Sequence, residues 1–178
     1  MTTSASSPPA WQEAIYQVLK RGRIQQVGYV PDAGHAHVIR RVHADPDMRA
    51  VVLTTEEEGV ALATGAWLGG QRSVLLMQSS GVGNCINMMS ILQSCRIPFL
   101  TLVTMRGEYA EFNPWQTPMS KATQGSMELM GIRVNRASRA EEVEDIVEAA
   151  LESAFGAGES MAVLLSQSLI GRKQWIKN

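Results

Sequence analysis

The sequence predicts an α/β fold: a single domain built on a parallel sheet of about six strands, with helices on both faces. The chain has 178 residues, 45% of them hydrophobic, which suits one domain with a sizeable core. Short apolar runs alternate with segments of helical periodicity along the chain. These runs are continuously apolar, which is typical of strands buried on both faces.

The same patterns place each element in order. The predicted strands cover residues 25–30, 50–54, 73–78, 99–104, 132–136 and 162–166. The predicted helices cover residues 11–20, 36–44, 56–68, 83–95, 119–130 and 139–155. The last helix has the clearest signals, because Ser138 and Glu141 form a capping box and Gly156 and Gly158 can end it. Residues 1–12 are expected to be a flexible N-terminal segment, 13–170 the domain and 171–178 a C-terminal tail.

The composition argues against several classes of function. Lys and Arg number 16 against 17 Asp and Glu, so a net charge of -1 gives no electrostatic basis for binding nucleic acid or a membrane. No apolar run is long enough to cross a bilayer, and the polar N-terminus does not match a signal peptide. Cys85 and Cys95 fall in one predicted helix about 15 Å apart, too far for a disulfide. We therefore expect a cytoplasmic protein, and no metal-ligand spacing is present.

The stretch from Ser73 to Cys95 contains no charged residue. A surface helix normally carries charge on its outer face, so this helix is expected to be covered on both sides. One interpretation is a contact with another subunit. The other is a fully internal helix, which is hard to achieve in so small a domain. The subunit interface is the preferred interpretation.

Three consecutive acids, Glu56, Glu57 and Glu58, begin a predicted helix. Ordinary helix chemistry explains them: Thr55 is a good N-cap, Glu58 completes a capping box, and the helix dipole favours acids in the first turn. The alternative is that one acid faces inward at the carboxyl edge of the sheet, where ligands of parallel α/β folds bind. An enclosed carboxyl group there can hold or donate a proton.

Two further segments follow predicted strands at that edge. The first, Ser79-Ser80-Gly81-Val82-Gly83-Asn84, is either an anion site at a helix start or a tight turn, and it matches no phosphate-binding signature. The second, residues 106–118, mixes charged and aromatic side chains and suits a pocket wall or lid. An ordinary exposed loop is the alternative for the second segment.

Four segments together resemble a known family. They are VPDAG (30–34), EEEGVALATGAWLGG (56–70), LLMQSSGVGNCIN (75–87) and RGEYAEFNPWQ (106–116). In this order they resemble the pyrimidine-binding domain of thiamine-diphosphate-dependent decarboxylases, in particular those that act on sulfopyruvate and phosphonopyruvate. The resemblance covers about residues 16–168 and implies the fold of that domain.

The resemblance implies specific roles. Glu56, nine residues before Gly65, corresponds to the family's catalytic glutamate, which hydrogen-bonds N1′ of the cofactor aminopyrimidine; Glu57 takes this role if the register slips by one. The implied cofactor-binding residues are Glu56, Gln78, Ser79, Gly81, Gly83 and Asn84. The implied substrate-side residues are Asp32, His35, Arg106, Glu111 and Gln116. Two of them have an alternative role: Arg106 as an anchor of its loop and His35 as a helix cap.

The resemblance also implies a partner. In this family a second domain binds the diphosphate and Mg²⁺ through a GDG motif, which this sequence lacks. The expected protein is therefore the α subunit of a hetero-oligomeric, thiamine-diphosphate-dependent 2-oxo acid decarboxylase, with diphosphate and Mg²⁺ held by a separate β subunit. Two alternatives remain: a non-catalytic α/β module that binds a small anion, and a subunit of a thiamine-diphosphate-dependent synthase or oxidoreductase.

Overall fold

A computed structural model describes residues 10–171. The strands are β1 (Ile24–Tyr29), β2 (Arg49–Val52), β3 (Arg72–Gln78), β4 (Phe99–Thr104), β5 (Arg133–Ala137) and β6 (Ser160–Leu165). The helices are α1 (Ala10–Arg21), α2 (Ala36–His43), α3 (Glu56–Leu68), α4 (Ser79–Cys85), α5 (Ser90–Cys95), α6 (Gln116–Leu129), α7 (Val143–Ala157) and α8 (Gln167–Ile170). Two 3₁₀ turns, Ala33–His35 and Ala140–Glu142, precede α2 and α7.

All six strands form one parallel sheet in the order β2-β1-β3-β4-β6-β5, which confirms the predicted fold class. Alternate residues of a strand point to opposite faces, so β3 contributes to two separate cores. Val74 and Leu76 pack with α1, α2 and α7 on one face. Leu75 and Met77 pack with α3 to α6 on the other. Helices therefore cover both faces, as the continuous apolar runs predict.

The strand order reverses beside β1. From β1 the chain passes through α2 to β2 on one side, whereas from β3 it passes through α4 and α5 to β4 on the other side. The segments that leave the carboxyl ends of β1 and β3 thus diverge and leave a crevice between them. Such a switch point is where ligands bind in open parallel sheets.

The predicted bounds of the helix 83–95 are wrong. The region contains two helices, α4 and α5, and α4 begins at Ser79, directly after β3. The segment predicted to be a tight turn is therefore helical. Glycine has low helix propensity, which misplaced the boundary. The glycines are instead explained by close packing: a Cβ on Gly83 would lie 3.0 Å from Met119 Sδ.

The structure distinguishes between the two interpretations of the uncharged segment in the same region. Cys85 and Leu92 are buried against the sheet. Asn84, Asn87 and Ser90, however, are exposed, so the alternative of a fully internal helix is excluded in this chain. Both cysteines are free, Cys85 buried and Cys95 exposed. Because this side of the segment is exposed and uncharged, a subunit interface there stays a prediction.

Two predicted helix caps differ from the structure. Thr55 is the N-cap of α3 but makes no capping hydrogen bond through its side chain, while Glu58 accepts one from the backbone N–H of Thr54 (2.8 Å). The predicted capping box between Ser138 and Glu141 does not form. Glu142 accepts the N–H groups of residues 138 and 139, because a 3₁₀ turn shifts the register by one residue.

The helix ends are closer to prediction. Gly158, with φ +76°, ends α7, and Gly156 lies inside that helix. At the other end of the chain, α1 begins at Ala10, and Trp11 is buried, so the helix starts before the predicted domain boundary at residue 13. The rest of the predicted N-terminal segment, 1–9, and of the tail, 172–178, lies outside the described residues.

Candidate active site

The carboxyl ends of β1, β3 and β4 bring a network of polar side chains together. Asp32 follows β1, Gln78 ends β3 and Thr104 ends β4. Gln78 Nε2 donates to Asp32 Oδ1 (2.9 Å), and Thr104 Oγ1 donates to Asp32 Oδ2 (2.8 Å). The backbone N–H of Gly34 also donates to Oδ2, and Ser80 Oγ donates to Gln78 Oε1. The network fixes the orientation of the Gln78 amide.

Glu56 lies on the opposite side of the crevice. It is the first residue of α3 and only 8% exposed, whereas Glu57 and Glu58 are exposed. Asn84 Nδ2 donates to Glu56 Oε2 at 2.9 Å, the one hydrogen bond of this side chain within residues 10–171. The carboxylate packs against Gly81, where a side chain would collide with it. One of the three consecutive acids is therefore enclosed.

A pocket of about 160 Å³ separates these two groups of side chains. It is lined by Val30, Pro31, Asp32, Glu56, Gln78 and Ser80. Two carboxylates face it, and none of the lining residues is Lys, Arg or His. The pocket therefore suits a small neutral or cationic group that can donate and accept hydrogen bonds.

Asp32 stays ionised in this environment. Burial works to raise its pKa, but the charge of His35 and hydrogen bonds from Gln78, Thr104 and Gly34 outweigh it, so the pKa lies below its ordinary value. Burial lowers the pKa of His35, so the imidazole is neutral at pH 7. A neutral His35 contributes no charge, so at pH 7 the hydrogen bonds are what stabilise the Asp32 carboxylate.

His35 is not at the pocket surface, contrary to the prediction of a substrate-side residue. It is fully buried, and its Nε2 lies 3.1 Å from the carbonyl oxygen of Leu102 and 3.3 Å from that of Met77. Since both neighbours are acceptors, Nε2 carries the proton. Nδ1 has no hydrogen-bond partner among the described residues. His35 therefore supports the strand ends from below.

Arg106 and Glu111 bind each other, so the structure favours the alternative in which Arg106 anchors its loop. Arg106 Nε and an amino nitrogen donate to the two Glu111 oxygens at 2.7 Å each, and both side chains are buried. Arg106 holds the pKa of Glu111 at about 2, against the opposing effect of burial, and Asn113, Gln167 and Gly107 add hydrogen bonds. This ion pair fixes the loop between β4 and α6 from inside.

The remaining predicted site residues lie in different surroundings. Ser79 is fully buried, and its Oγ accepts the N–H of Arg106 (3.1 Å), so it joins α4 to the end of β4. Gly83 packs toward Met119. Gln116 begins α6 and is not among the residues that line the pocket.

Three contributors were missed by the sequence reasoning: Ser80, Thr104 and Gln167. Thr104 could have been predicted from the sequence, since it is the last residue of a predicted strand that ends at the same edge as Asp32. Gln167 could not. Its Oε1 accepts the N–H groups of Glu108 and Tyr109, and its Nε2 donates to Glu111, contacts that bridge distant parts of the sequence.

Comparison with known proteins identifies the domain. The model of the family "Thiamine pyrophosphate enzyme, N-terminal TPP binding domain" matches residues 10–130. The chain belongs to this family. The resemblance noted in the sequence is thereby confirmed, and the crevice at the switch point lies in a thiamine-diphosphate-binding domain.

Relatives of this TPP-binding domain match it over most of its length or over about half of it. Sulfopyruvate decarboxylase subunit alpha of Methanococcus maripaludis is 32% identical over 86% of this chain and 92% of that protein. The subunit of the same name from Methanothermobacter thermautotrophicus is 32% identical over 88% of this chain and 95% of that protein. Phosphonopyruvate decarboxylase of Streptomyces viridochromogenes is 39% identical over 49% of this chain and 22% of that protein.

A solved structure supports the fold. The TPP-binding domain superimposes on 2-oxoglutarate:ferredoxin oxidoreductase from Magnetococcus marinus with a TM-score of 0.74 and 16% identity, over 93% of this chain and 31% of that one. Within residues 10–171 no helix is long and apolar enough to cross a membrane. In the same range no group of three or more His, Cys, Asp or Glu could hold a metal ion.

The site fits the pyrimidine half of thiamine diphosphate. Glu56 is a buried carboxylate that faces a small pocket, and one of its oxygens is already oriented by Asn84. Gly81 leaves the space that the carboxylate occupies. The pocket also offers the Gln78 amide and the Ser80 hydroxyl as hydrogen-bonding groups. An aminopyrimidine needs donors and acceptors of this kind around its ring.

Proposed function

We propose that this chain is the α subunit of a heteromeric thiamine-diphosphate-dependent decarboxylase that acts on a small 2-oxo acid of the sulfopyruvate type. The observation that carries the proposal is the enclosed Glu56 at the pocket of a thiamine-diphosphate-binding domain. Similarity to two sulfopyruvate decarboxylase α subunits over more than nine-tenths of their length supports the substrate class.

In this proposal Glu56 holds a proton at N1′ of the aminopyrimidine. Its carboxylate is shielded from water, so a hydrogen bond to it is stronger than it would be at the surface. Asn84 binds Oε2, whereas Oε1 has no hydrogen bond within residues 10–171 and stays available to the ring. When bound, thiamine diphosphate supplies the nucleophilic carbon that adds to the 2-oxo group and takes up the electrons as carbon dioxide leaves. The chain itself supplies position and one proton relay.

Asp32, Gln78 and Ser80 orient the other side of the pocket. Asp32 accepts from the Gln78 amide nitrogen, which directs the amide oxygen toward Ser80. A fixed amide presents a defined hydrogen-bonding edge, which favours one orientation of the bound ring. Because these side chains are held by the strand ends, they need little rearrangement when a ligand enters.

A separate β subunit holds the diphosphate and Mg²⁺ in this proposal. The relatives that match almost end to end are named as α subunits, which implies a partner. The Streptomyces decarboxylase, by contrast, is much longer than the segment that it shares with this chain. The exposed and uncharged side of α4 and α5, with Asn84, Asn87 and Ser90, is the expected contact surface.

The alternative of a small-anion-binding module is disfavoured by the pocket, because two carboxylates and no cation line it. The test is reconstitution: the chain, a candidate β subunit with a GDG motif and the mixture are each assayed with thiamine diphosphate, Mg²⁺ and a panel of 2-oxo acids. We expect carbon dioxide release only from the mixture, fastest with sulfopyruvate. Activity of either protein alone, or none from the mixture with any 2-oxo acid, would contradict the proposal.

A further inference from the structure

We infer that the cationic groups that hold the anionic ends of the substrate are contributed by the partner subunit and not by this chain. The inference rests on the proposed function, since a sulfopyruvate-type substrate carries a carboxylate and a sulfonate, both negative at neutral pH. Binding such a dianion requires positive charge or several converging N–H donors. The chemistry of this chain's crevice is the opposite.

The pocket itself is negatively charged. Asp32 and Glu56 both line it, and the other four lining residues are uncharged. Asp32 accepts three hydrogen bonds, from Gln78, Thr104 and Gly34, and these hold it as a carboxylate. In the proposed function the pyrimidine ring occupies this pocket, so the substrate lies next to it, and the same two carboxylates repel its anionic groups.

Two arginines nearer the far side of the sheet's carboxyl edge, Arg106 after β4 and Arg136 in β5, are already paired. The charge of Arg106 is balanced by Glu111, which binds it through both oxygens in a buried contact. Arg136, at the end of β5, binds both oxygens of Glu108 at 3.1 and 2.8 Å. Each pair is neutral overall, so neither adds positive potential to the crevice.

His35 and Arg40, two basic side chains on the segment that follows Asp32, do not line the pocket. His35 is buried beneath the strand ends and donates its Nε2 proton to backbone carbonyl oxygens. Arg40 is exposed on α2 and lines a different hollow of about 450 Å³, on the other side of Pro31 and Asp32. The second hollow is mainly apolar, with Tyr29, Pro31, Ala33, Ala36 and Ile39 around it.

The experiment maps protected cations in the active holoenzyme. The reconstituted pair, with thiamine diphosphate and Mg²⁺, is treated with phenylglyoxal for arginine or acetic anhydride for lysine, with and without sulfoacetate. Sulfoacetate has the same two anionic groups and lacks the reactive 2-oxo group. At ten times its Kd it leaves about one site in eleven free, so modification of the binding cations should slow about tenfold.

We expect the protected arginine or lysine to lie in peptides of the partner subunit. On this chain, the modification rates of Arg40, Arg106 and Arg136 should be unchanged. Protection of any of them, of Lys121, or of the basic residues Arg172, Lys173 and Lys177 of the C-terminal segment would overturn the inference. Protection on neither chain would overturn it as well.

A matched kinetic comparison separates this inference from the proposed function. The comparison uses the pair that carries Arg40→Gln and two substrates, sulfopyruvate and pyruvate, the second of which lacks the sulfonate. The ratio of their kcat/KM values should stay within about twofold of the wild-type ratio. Loss of a contact worth about 1.4 kcal/mol would change it about tenfold. A tenfold fall would place the sulfonate on this chain. If the wild-type pair decarboxylates no 2-oxo acid, that result rejects the proposed function itself, independently of where the substrate's anionic groups bind.

Discussion

The carboxylate of Glu56 lies directly against Gly81, and a Cβ on Gly81 would be only 2.3 Å from the carboxyl carbon. The glycine therefore serves close packing between two helices and not a turn. It also makes the position of the proposed catalytic acid depend on a residue 25 positions away in the sequence.

Replacing Gly81 with alanine should displace Glu56 from the pocket. We expect turnover of the reconstituted enzyme to fall by about 10²-fold, as expected when a catalytic group moves by roughly an ångström. The matched control is Gly125→Ala in α6, where nothing lies within 4 Å of the new Cβ. That change should leave turnover intact and stabilise the helix by about 0.5–1 kcal/mol in urea unfolding. Equal activity of the two variants would argue against the packing role.

The variant Glu56→Gln tests the proton relay directly. Glutamine keeps the shape and the contact with Asn84 but cannot hold a proton in the same way, so we expect kcat to fall by about 10²–10⁴-fold. Circular dichroism should show an unchanged fold. The exposed neighbour is the control: Glu57→Gln should retain nearly full activity. The opposite ranking of the two variants would move the catalytic role to Glu57.

Cofactor affinity tests the shared site. Because this chain is proposed to bind only the pyrimidine half, we expect thiamine diphosphate to bind the isolated chain with a Kd weaker than about 1 mM. Isothermal titration calorimetry with and without the partner measures the difference. Micromolar binding by the chain alone would contradict the assignment of the diphosphate and Mg²⁺ to the β subunit.

The variant Glu111→Gln should destabilise the chain. It leaves the buried guanidinium of Arg106 without its counter-charge, which costs about 3–5 kcal/mol when a buried pair is broken. Urea unfolding at pH 7 gives the free energy of unfolding. As a control, Glu159→Gln removes a pair with Arg133, whose side chain is 66% exposed, and should cost less than about 1 kcal/mol. Similar costs for the two variants would mean that the Arg106 pair is effectively solvated.

The same carboxylate predicts a pH dependence. The ordinary pKa of Glu111 is 4.5 and the folded-state pKa is about 2, so the unfolded chain takes up the proton first as pH falls. The stabilisation is therefore fully present above pH 4.5 and is lost progressively as the pH drops toward 2. Urea unfolding of wild type at pH 6, about 4 and about 3 should show this loss. Glu111→Gln should have a shallower slope, and identical slopes would exclude this contribution.

Much of the fold was predictable because it depends on local patterns. The runs that became β3, β4 and β6 are almost continuously apolar, which is the pattern that burial on both faces favours. The start of α4 was not predictable from Gly81 and Gly83, since glycine signals a turn unless the group that packs against it is known. The residues alone left all three acids explained by helix capping, and only the resemblance selected Glu56, with Glu57 as the alternative. The structure encloses Glu56, and its catalytic role stays a prediction.

The site was less predictable than the fold. Asp32 and Gln78 were expected at the same edge, and they do meet there. The pairing of Arg106 with Glu111 was not foreseen, because the sequence gives two opposite charges in one loop but not the direction of their side chains. His35 was misplaced for a similar reason: its position after β1 is visible in the sequence, but not its burial beneath the edge.

The divergence of the chain on either side of β1 and β3 has a consequence for how such domains change over time. The crevice arises from the route of the backbone, so no particular loop has to be conserved for it to persist. The crevice itself therefore persists when side chains around its rim differ, as long as the strand order stays the same. A likeness of 0.74 in TM-score at only 16% identity is what that tolerance would produce.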